Sequence, residues 1–336
     1  MITRKQFIKS AGVFLAALIS LPLISKLIGR WGASKEEAIL KLYSEMIPII
    51  KDRLEYEGLA RQVLAVRKLR QGEIQRYPKE IGVTSMMIQE DGKTIETASK
   101  WDKLFPPEFL VSATSTLPKE LLEAIMAEPR EYSKEFFEFM DTELDKCSFE
   151  IMLQEDRNVL RLLYHSALNS GNVLHIDQLD RKNFNQFKRT AEDNSFAVDK
   201  IVMNRAELGD LRSNVKTMEY DPILSRSALL SGNFGSLDGI NIYITAGVDM
   251  RAWEFVSVPE GMIFILPKPE ELGIMPERIS LTVVPAMRML EGRELGRTAL
   301  LVEQISQVVF DTSKVIVAMK PNCVIPRWLE EDSLIV

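Results

Sequence analysis

Few side chains in this chain of 336 residues could carry acid–base, metal or thiol chemistry. There are two histidines, His165 and His175, and Asp177 follows the second of them by two positions. A His-x-Asp pair could belong to a metal or acid–base site, but two ligands without a third do not make a zinc site. We therefore interpret both histidines as polar residues at a helix end and in a turn, without a catalytic role.

The cysteines and the glycine-rich segment provide no catalytic or cofactor motif. Cys147 and Cys323 have neither the spacing of metal ligands nor the number that a disulfide framework needs. Residues 232–235 lack the GxGxxG order and the GKS or GKT of a phosphate loop, so we interpret them as a loop. Three acidic side chains of one predicted helix are interpreted as its solvated face: Glu150, Glu155 and Asp156. The sequence thus predicts a protein that is not an enzyme and that uses no cofactor or metal.

Composition excludes a disordered chain and argues against a protein that binds nucleic acid through basic charge. The sequence is 46% hydrophobic and 27% charged, as in ordinary globular proteins. Its 42 lysines and arginines are outnumbered by 48 aspartates and glutamates, which gives a net charge of −6. Sequence-independent binding to DNA depends on clustered basic side chains that release counterions from the phosphates.

The first thirty residues combine basic side chains with an apolar run. Arg4, Lys5 and Lys9 precede residues 11–25 (AGVFLAALISLPLIS), which carry no charge. The run is shorter than the roughly 20 apolar residues of a transmembrane helix, and it contains Pro22. Three interpretations stay open: an apolar arm that packs on a partner, an export signal with a start similar to the twin-arginine pattern, or a membrane anchor.

Helical spacing predicts two long helices. One covers 34–70, with Pro48 as an expected kink. The other covers 133–168 and would be about 54 Å long at 1.5 Å per residue. We expect its apolar face to pack on a sheet formed by 108–116 and 279–319. The residues of that face recur at steps of three and four: Phe137, Met140, Leu144, Cys147 and Ile151.

Between the two helices the sequence predicts a β-hairpin. Asp91-Gly92 separates two short segments, 85–90 and 93–98, and this dipeptide between strands is a strong hairpin signal. Neither segment is apolar enough to fill a core of its own. We therefore expect a projecting β-loop.

A mixed α/β region is predicted after the second long helix. Its expected elements are a helix over 178–193, a strand over 200–204, a short helix over 207–212, and strands over 237–245 and 261–266. Four β-rich segments follow, at 279–284, 298–302, 305–310 and 315–319. The fold class is therefore α+β.

In this order the parts of the chain resemble the major capsid protein of tailed bacteriophages, with its Hong Kong 97-type fold. Residues 199–212 (DKIVMNRAELGDLR), 235–245 (GSLDGINIYIT) and 279–320 look typical of that family. The resemblance implies five parts: an N-terminal arm over 1–70, an extended β-hairpin loop over 71–100, a peripheral domain with a long spine helix over 101–171, an axial α/β domain over 172–278, and a return to peripheral strands with a C-terminal tail over 279–336.

The same resemblance implies a structural function. Copies of the chain would assemble, as hexamers and pentamers, into an icosahedral shell around a double-stranded DNA genome, in the host cytoplasm and then in the virion. Further implied partners are a portal protein and scaffolding or decoration proteins, whereas a membrane is not expected. The DNA would be enclosed without sequence-specific binding. Contacts between subunits are expected at Asp91 and Gly92 of the hairpin and at Phe14 and Leu18 of the arm.

Two alternatives remain. An encapsulin-like nanocompartment shell would share this architecture but would package enzymes. An exported or membrane-tethered protein would account for residues 1–32 alone.

Overall fold

The computed structural model describes residues 35–69, 86–88, 94–96, 109–118, 120–121, 123, 134–204, 206–207, 209–210, 233–237, 239–245, 258–290 and 293–330. Helices in these ranges, numbered in chain order, are α1 (Lys35–Glu57), α2 (Leu59–Val63), α3 (Lys134–Ser170), α4 (Arg181–Asp193), α5 (Pro269–Leu272) and α6 (Arg327–Glu330). Strands are β1 (Ala65–Lys68), β2 (Met86–Ile88), β3 (Thr94–Glu96), β4 (Phe109–Pro118), β5 (Val173–His175), β6 (Lys200–Asn204), β7 (Asn233–Leu237), β8 (Ile240–Thr245), β9 (Met262–Leu266), β10 (Gly273–Leu290), β11 (Arg293–Ile305), β12 (Val308–Val309) and β13 (Ile316–Met319).

The described residues divide into two compact units. The first unit contains the residues up to Leu54, Leu110–Ile151 and Ile279–Glu303. The second contains the described residues of Glu55–Phe109, Met152–Arg278 and the segment from Gln304 onward. Each unit is therefore assembled from segments that lie far apart in the sequence.

In the first unit, α1 and α3 contact strand β4. The hydroxyls of Tyr43 on α1 and Ser115 on β4 are hydrogen-bonded at 2.8 Å, and both side chains are buried. On α3, Lys146 donates to the carbonyl oxygen of Thr114 at 3.1 Å. The predicted apolar face of α3 is confirmed at four buried positions: Met140, Leu144, Cys147 and Ile151. The side chain of Phe137 lies outside the described residues.

The helix predicted over 34–70 is wrong at its C-terminal end. α1 ends at Glu57, Gly58 has extended backbone, and Ala65–Lys68 forms a strand instead of a last helical turn. That strand pairs in parallel with β10, with Ala65 opposite Ile274. Pairing with a distant strand overrides local helix propensity, which is a weak determinant. Pro48, the expected kink, lies inside α1 without interrupting it.

A five-stranded sheet has the order β1-β10-β11-β4, with β12 paired to β10. The separate segments predicted at 279–284 and 298–302 are parts of two longer strands of 18 and 13 residues. At the start of β10, a Cβ atom on Gly273 would lie 2.0 Å from the carbonyl oxygen of Val308. This close approach of two backbones requires glycine at that position.

A six-stranded sheet forms the core of the second unit, in the order β5-β13-β9-β6-β8-β7. Every residue of β9 is buried, whereas β8 alternates between buried and half-buried positions. The alternation follows from the period of two of a strand, which turns successive side chains to opposite faces. Helix α4 contributes Phe184, Phe187 and Ala191 to the same hydrophobic cluster.

Two strands of this sheet correct the sequence prediction. Ile316–Met319 was expected among peripheral strands, but it lies between β5 and β9, with Val317 opposite both Val173 and Phe264. Its first three side chains, Ile316, Val317 and Ala318, are buried because a central strand is covered on both faces. Residues 233–235, expected as a loop, belong to β7, which pairs with β8 at the sheet edge.

The two arms of the predicted hairpin do pair. β2 and β3 are antiparallel, with Met87 opposite Ile95. The turn residues Asp91 and Gly92 lie outside the described residues.

Candidate functional site

The histidines that could have carried chemistry are not part of a cluster in the described residues. His165 is half-buried on α3, and its Nε2 is 3.2 Å from the carbonyl oxygen of Leu329. His175 and Asp177 are exposed. Throughout the part of the chain that the structure describes, no three His, Cys, Asp or Glu side chains are placed to hold a metal ion.

The cysteines are free thiols held in their neutral form. Burial raises the pKa of Cys147 to about 12, and the nearby carboxylates of Glu143 and Glu150 add to that effect. Burial also raises the pKa of Cys323, with a smaller contribution from Glu207. Since the thiolate is the nucleophilic form, neither cysteine is activated for covalent chemistry.

A buried ion pair connects α2 and α3 in the second unit. The guanidinium of Arg61 donates to the carboxylate of Glu155 through Nε at 2.9 Å and Nη2 at 2.7 Å. The two side chains are 2% and 0% exposed. The interpretation of Glu155 as part of a solvated helix face is therefore wrong. Bidentate pairing with Arg61 compensates the loss of water around both charges.

Asp156, the next residue, holds the backbone of the same short helix. Its Oδ1 accepts a hydrogen bond from the N–H of Ala60 at 2.8 Å. Desolvation nevertheless raises the pKa of Asp156 to about 7, against the opposite effects of that hydrogen bond and of Arg61. Adjacent acidic residues of α3 thus bind adjacent residues of α2, one through its side chain and one through its backbone.

A third segment joins this polar cluster from the C-terminal part of the chain. Nε2 of Gln307, which is buried, donates to the carbonyl oxygen of Glu155 at 3.0 Å. The cluster of Arg61, Glu155, Asp156 and Gln307 therefore connects three segments of the second unit. These contacts hold α2 and the backbone at Glu155 in place.

A second polar cluster lies at the end of β13. Lys320 forms ion pairs with Glu207 and with Asp210, the latter at 2.6 Å. Glu207 also accepts a hydrogen bond from the N–H of Gly261 at 2.8 Å. These charge-assisted contacts raise the pKa of Lys320 despite partial desolvation. The cluster connects Glu207 and Asp210 to Lys320 after β13 and to Gly261 before β9.

Sequence reasoning missed both clusters. Arg61 and Glu155 are 94 positions apart, and Lys320 and Asp210 are 110 apart. The sequence held one indication that Glu155 is buried: it lies between apolar positions of a long helix. The residues expected to make contacts between subunits, Phe14, Leu18, Asp91 and Gly92, all lie outside the described residues. Among the described helices, none is long and apolar enough to cross a membrane.

Solved structures share the arrangement of helices and sheets described above, although neither a protein-family model nor a curated protein matches the sequence. A prophage protein of Escherichia coli CFT073, assigned to the capsid by its name, matches 83% of this chain and 98% of its own chain, with a TM-score of 0.52 and 10% identity. The chain has a Hong Kong 97-type capsid fold. A chain from Microbacterium phage Oxtober96 matches 79% of this chain and 91% of its own, with a TM-score of 0.50 and 13% identity.

The Hong Kong 97-type fold agrees with the α+β class predicted from the sequence. The holo-SrpI encapsulin complex from Synechococcus elongatus PCC 7942 matches 76% of this chain and 85% of its own, with a TM-score of 0.45 and 11% identity.

Proposed function

We propose that this chain is a structural major capsid protein, which assembles with copies of itself into an icosahedral shell around a double-stranded DNA phage genome. The observation that carries the proposal is the fold, since nearly the whole chain of a prophage capsid protein is matched. The polar clusters support a structural role, because they join segments that are distant in sequence.

On this proposal the elements take the parts that the family resemblance implies. Helix α3 is the spine helix of a peripheral domain over 101–171, to which the chain returns through the parts of β10 and β11 that follow residue 279. The six-stranded sheet is the core of an axial domain over 172–278, completed by β13 from the C-terminal segment. Residues 1–70 form the arm and residues 71–100 the extended loop.

The proposed contacts between subunits are the hairpin turn, at Asp91 and Gly92, and the arm, at Phe14 and Leu18. Strands β2 and β3 are three residues long each, and an isolated two-stranded hairpin is marginally stable in water. The apolar run at 11–25 also needs a surface to pack against, since an exposed apolar surface of this size favours association. Both segments would be stabilised by a neighbouring subunit.

The proposed contents of the shell are DNA enclosed without sequence-specific binding. A net charge of −6 favours a neutral or acidic inner wall, which would hold DNA weakly and leave it free for ejection. Portal, scaffolding and decoration proteins would complete the virion, which is assembled in the host cytoplasm.

The contents of particles purified from the phage-producing host test this function. We expect nuclease-protected double-stranded DNA inside particles built from this chain. Particles that contain a protein cargo and no DNA would contradict the capsid proposal and favour the encapsulin alternative. Recovery of the chain as a periplasmic monomer without residues 1–32 would contradict both and favour export.

A further inference from the structure

Helix α4 presents a basic face opposite its buried side. Phe184, Phe187 and Ala191 point into the core of the six-stranded sheet. On the opposite side lie the exposed side chains of Arg181, Lys182 and Arg189, which fall within about 100° of the helix circumference at 100° per residue. Within the described residues, these three side chains make no ion pair or hydrogen bond.

The charge order along α4 is the reverse of what folding favours. Arg181 and Lys182 lie in the first turn, next to the positive end of the helix dipole, and Glu192 and Asp193 lie in the last turn, next to its negative end. Each such placement is unfavourable relative to the opposite sign. The basic side chains therefore do not stabilise their own helix, and their position points to a contact outside it.

An exposed acidic stripe on α3 matches this face in length and charge. Glu138, Asp141 and Asp145 are all exposed and recur at steps of three and four. Within one copy, Asp145 is paired with Arg53 and Glu138 also has a partner, but all three carboxylates stay accessible to a second copy. Steps of this kind place them along one line, about 10 Å long. The span from Arg181 to Arg189 on α4 is about 12 Å. Lys146, the neighbouring cation on α3, is turned to the backbone of β4, where it donates to Thr114.

We propose that the basic face of α4 in one copy binds the acidic stripe of α3 in a second copy. The inference rests on the proposed function, since it assumes that copies of the chain associate. Because each copy carries both halves, the contact is heterologous, and a heterologous contact forms a ring when its rotation closes.

Charge at the ends of the basic face favours a protein partner over nucleic acid. Asp177 and Asp180 precede Arg181, and Glu192 and Asp193 follow Arg189. A DNA strand that continued past either end would bring its phosphates against these carboxylates. A short acidic stripe ends before it reaches them.

Charge exchange between the two helices tests the contact. The first variant is R181E/K182E, which places acidic residues in the first turn of α4 and is expected to fold because the helix dipole favours them. The second is E138K/D141K on α3, and the third combines all four changes. The matched control is K68E/K268E. It reverses the charge of two exposed lysines, one on β1 and one before α5, and so changes the net charge by the same amount as R181E/K182E. The fraction of each protein in particles is measured by sedimentation at low and high salt.

We expect R181E/K182E and E138K/D141K each to lower the assembled fraction on the order of tenfold, because like charges then face each other. The combined variant should recover most of it, and the control should assemble as the unaltered chain does. Normal assembly of R181E/K182E, or a combined variant no better than the single ones, would overturn the contact. Normal assembly with less packaged DNA would assign the face to nucleic acid instead. Absence of particles from the unaltered chain would contradict the proposed function itself.

Discussion

Arg61 and Glu155 form a bidentate pair, in which the guanidinium donates two hydrogen bonds of 2.9 and 2.7 Å to one carboxylate. Both side chains are almost fully enclosed. Water therefore does little to screen either charge, and each depends on the other. The pair also places α2 at the point where the chain passes from α1 to β1.

Removal of one partner of this pair should be strongly destabilising. We expect Glu155→Gln to lower the free energy of unfolding by about 3–5 kcal/mol, since it leaves the Arg61 charge buried without its counter-charge. The double variant R61M/E155L should recover most of that loss, because two apolar side chains of similar size leave no uncompensated charge. Denaturant unfolding of the unassembled chain measures both values.

The exposed pair between Arg53 and Asp145 is the control, with Asp145 54% exposed. Asp145→Asn should cost less than about 1 kcal/mol. A loss of the same size for Asp145→Asn and Glu155→Gln would contradict the role given to burial.

Asp156 should make stability depend on pH near neutrality. Its pKa is raised from 3.8 to about 7 in the folded chain, so the folded state binds the proton more tightly than the unfolded state. The stability that this tighter proton binding gives the folded state is complete below the unfolded pKa of Asp156 and is lost as the pH rises through about 7. The free energy of unfolding should therefore fall between pH 4 and 8, by the amount that the titration of one carboxyl group contributes.

Asp156→Asn should flatten that part of the stability profile, while the amide oxygen still accepts from Ala60. Asp177→Asn, a change at an exposed carboxylate, should leave the slope unchanged. An unaltered slope in Asp156→Asn would show that another group titrates.

Local signals were enough for some elements and not for others. Lys200–Asn204 was predicted with its observed bounds, since a short run of apolar residues between polar ones is recognisable without its partners. Helix α3 was predicted within two residues at each end for a similar reason. In contrast, Ala65–Lys68 was predicted as helix, and Ile316–Met319, although predicted as a strand, was expected in a different sheet, because the strands that pair with each are distant in sequence. The burial of Glu155 was missed for a similar reason, because its partner Arg61 is 94 positions away in the sequence.

The apolar face of α3 should contribute strongly to stability through Leu144. This side chain is buried on the first unit's part of α3, and Leu144→Ala should cost about 2–5 kcal/mol. Leu110→Ala is the matched control, because Leu110 is 62% exposed on β4 and should change stability by less than about 0.5 kcal/mol. Equal effects of the two substitutions, measured by thermal unfolding, would contradict the packing described for α3.

Deletion of residues 1–32 should separate folding from assembly. We expect the shortened chain to stay folded, because the described cores contain none of these residues, and to form unstable or misassembled shells. Circular dichroism reports the first property, and resistance of purified particles to heat reports the second. Particles of normal stability would refute the arm interpretation and favour an export signal.

Assembly of copies of this chain into a closed shell can be seen by electron microscopy of the purified protein in negative stain. We expect closed particles of uniform diameter with icosahedral outlines, formed by this chain without an added enzyme or cofactor. A preparation that is folded and monodisperse but contains only monomers or small oligomers, over a range of protein and salt concentrations, would contradict it.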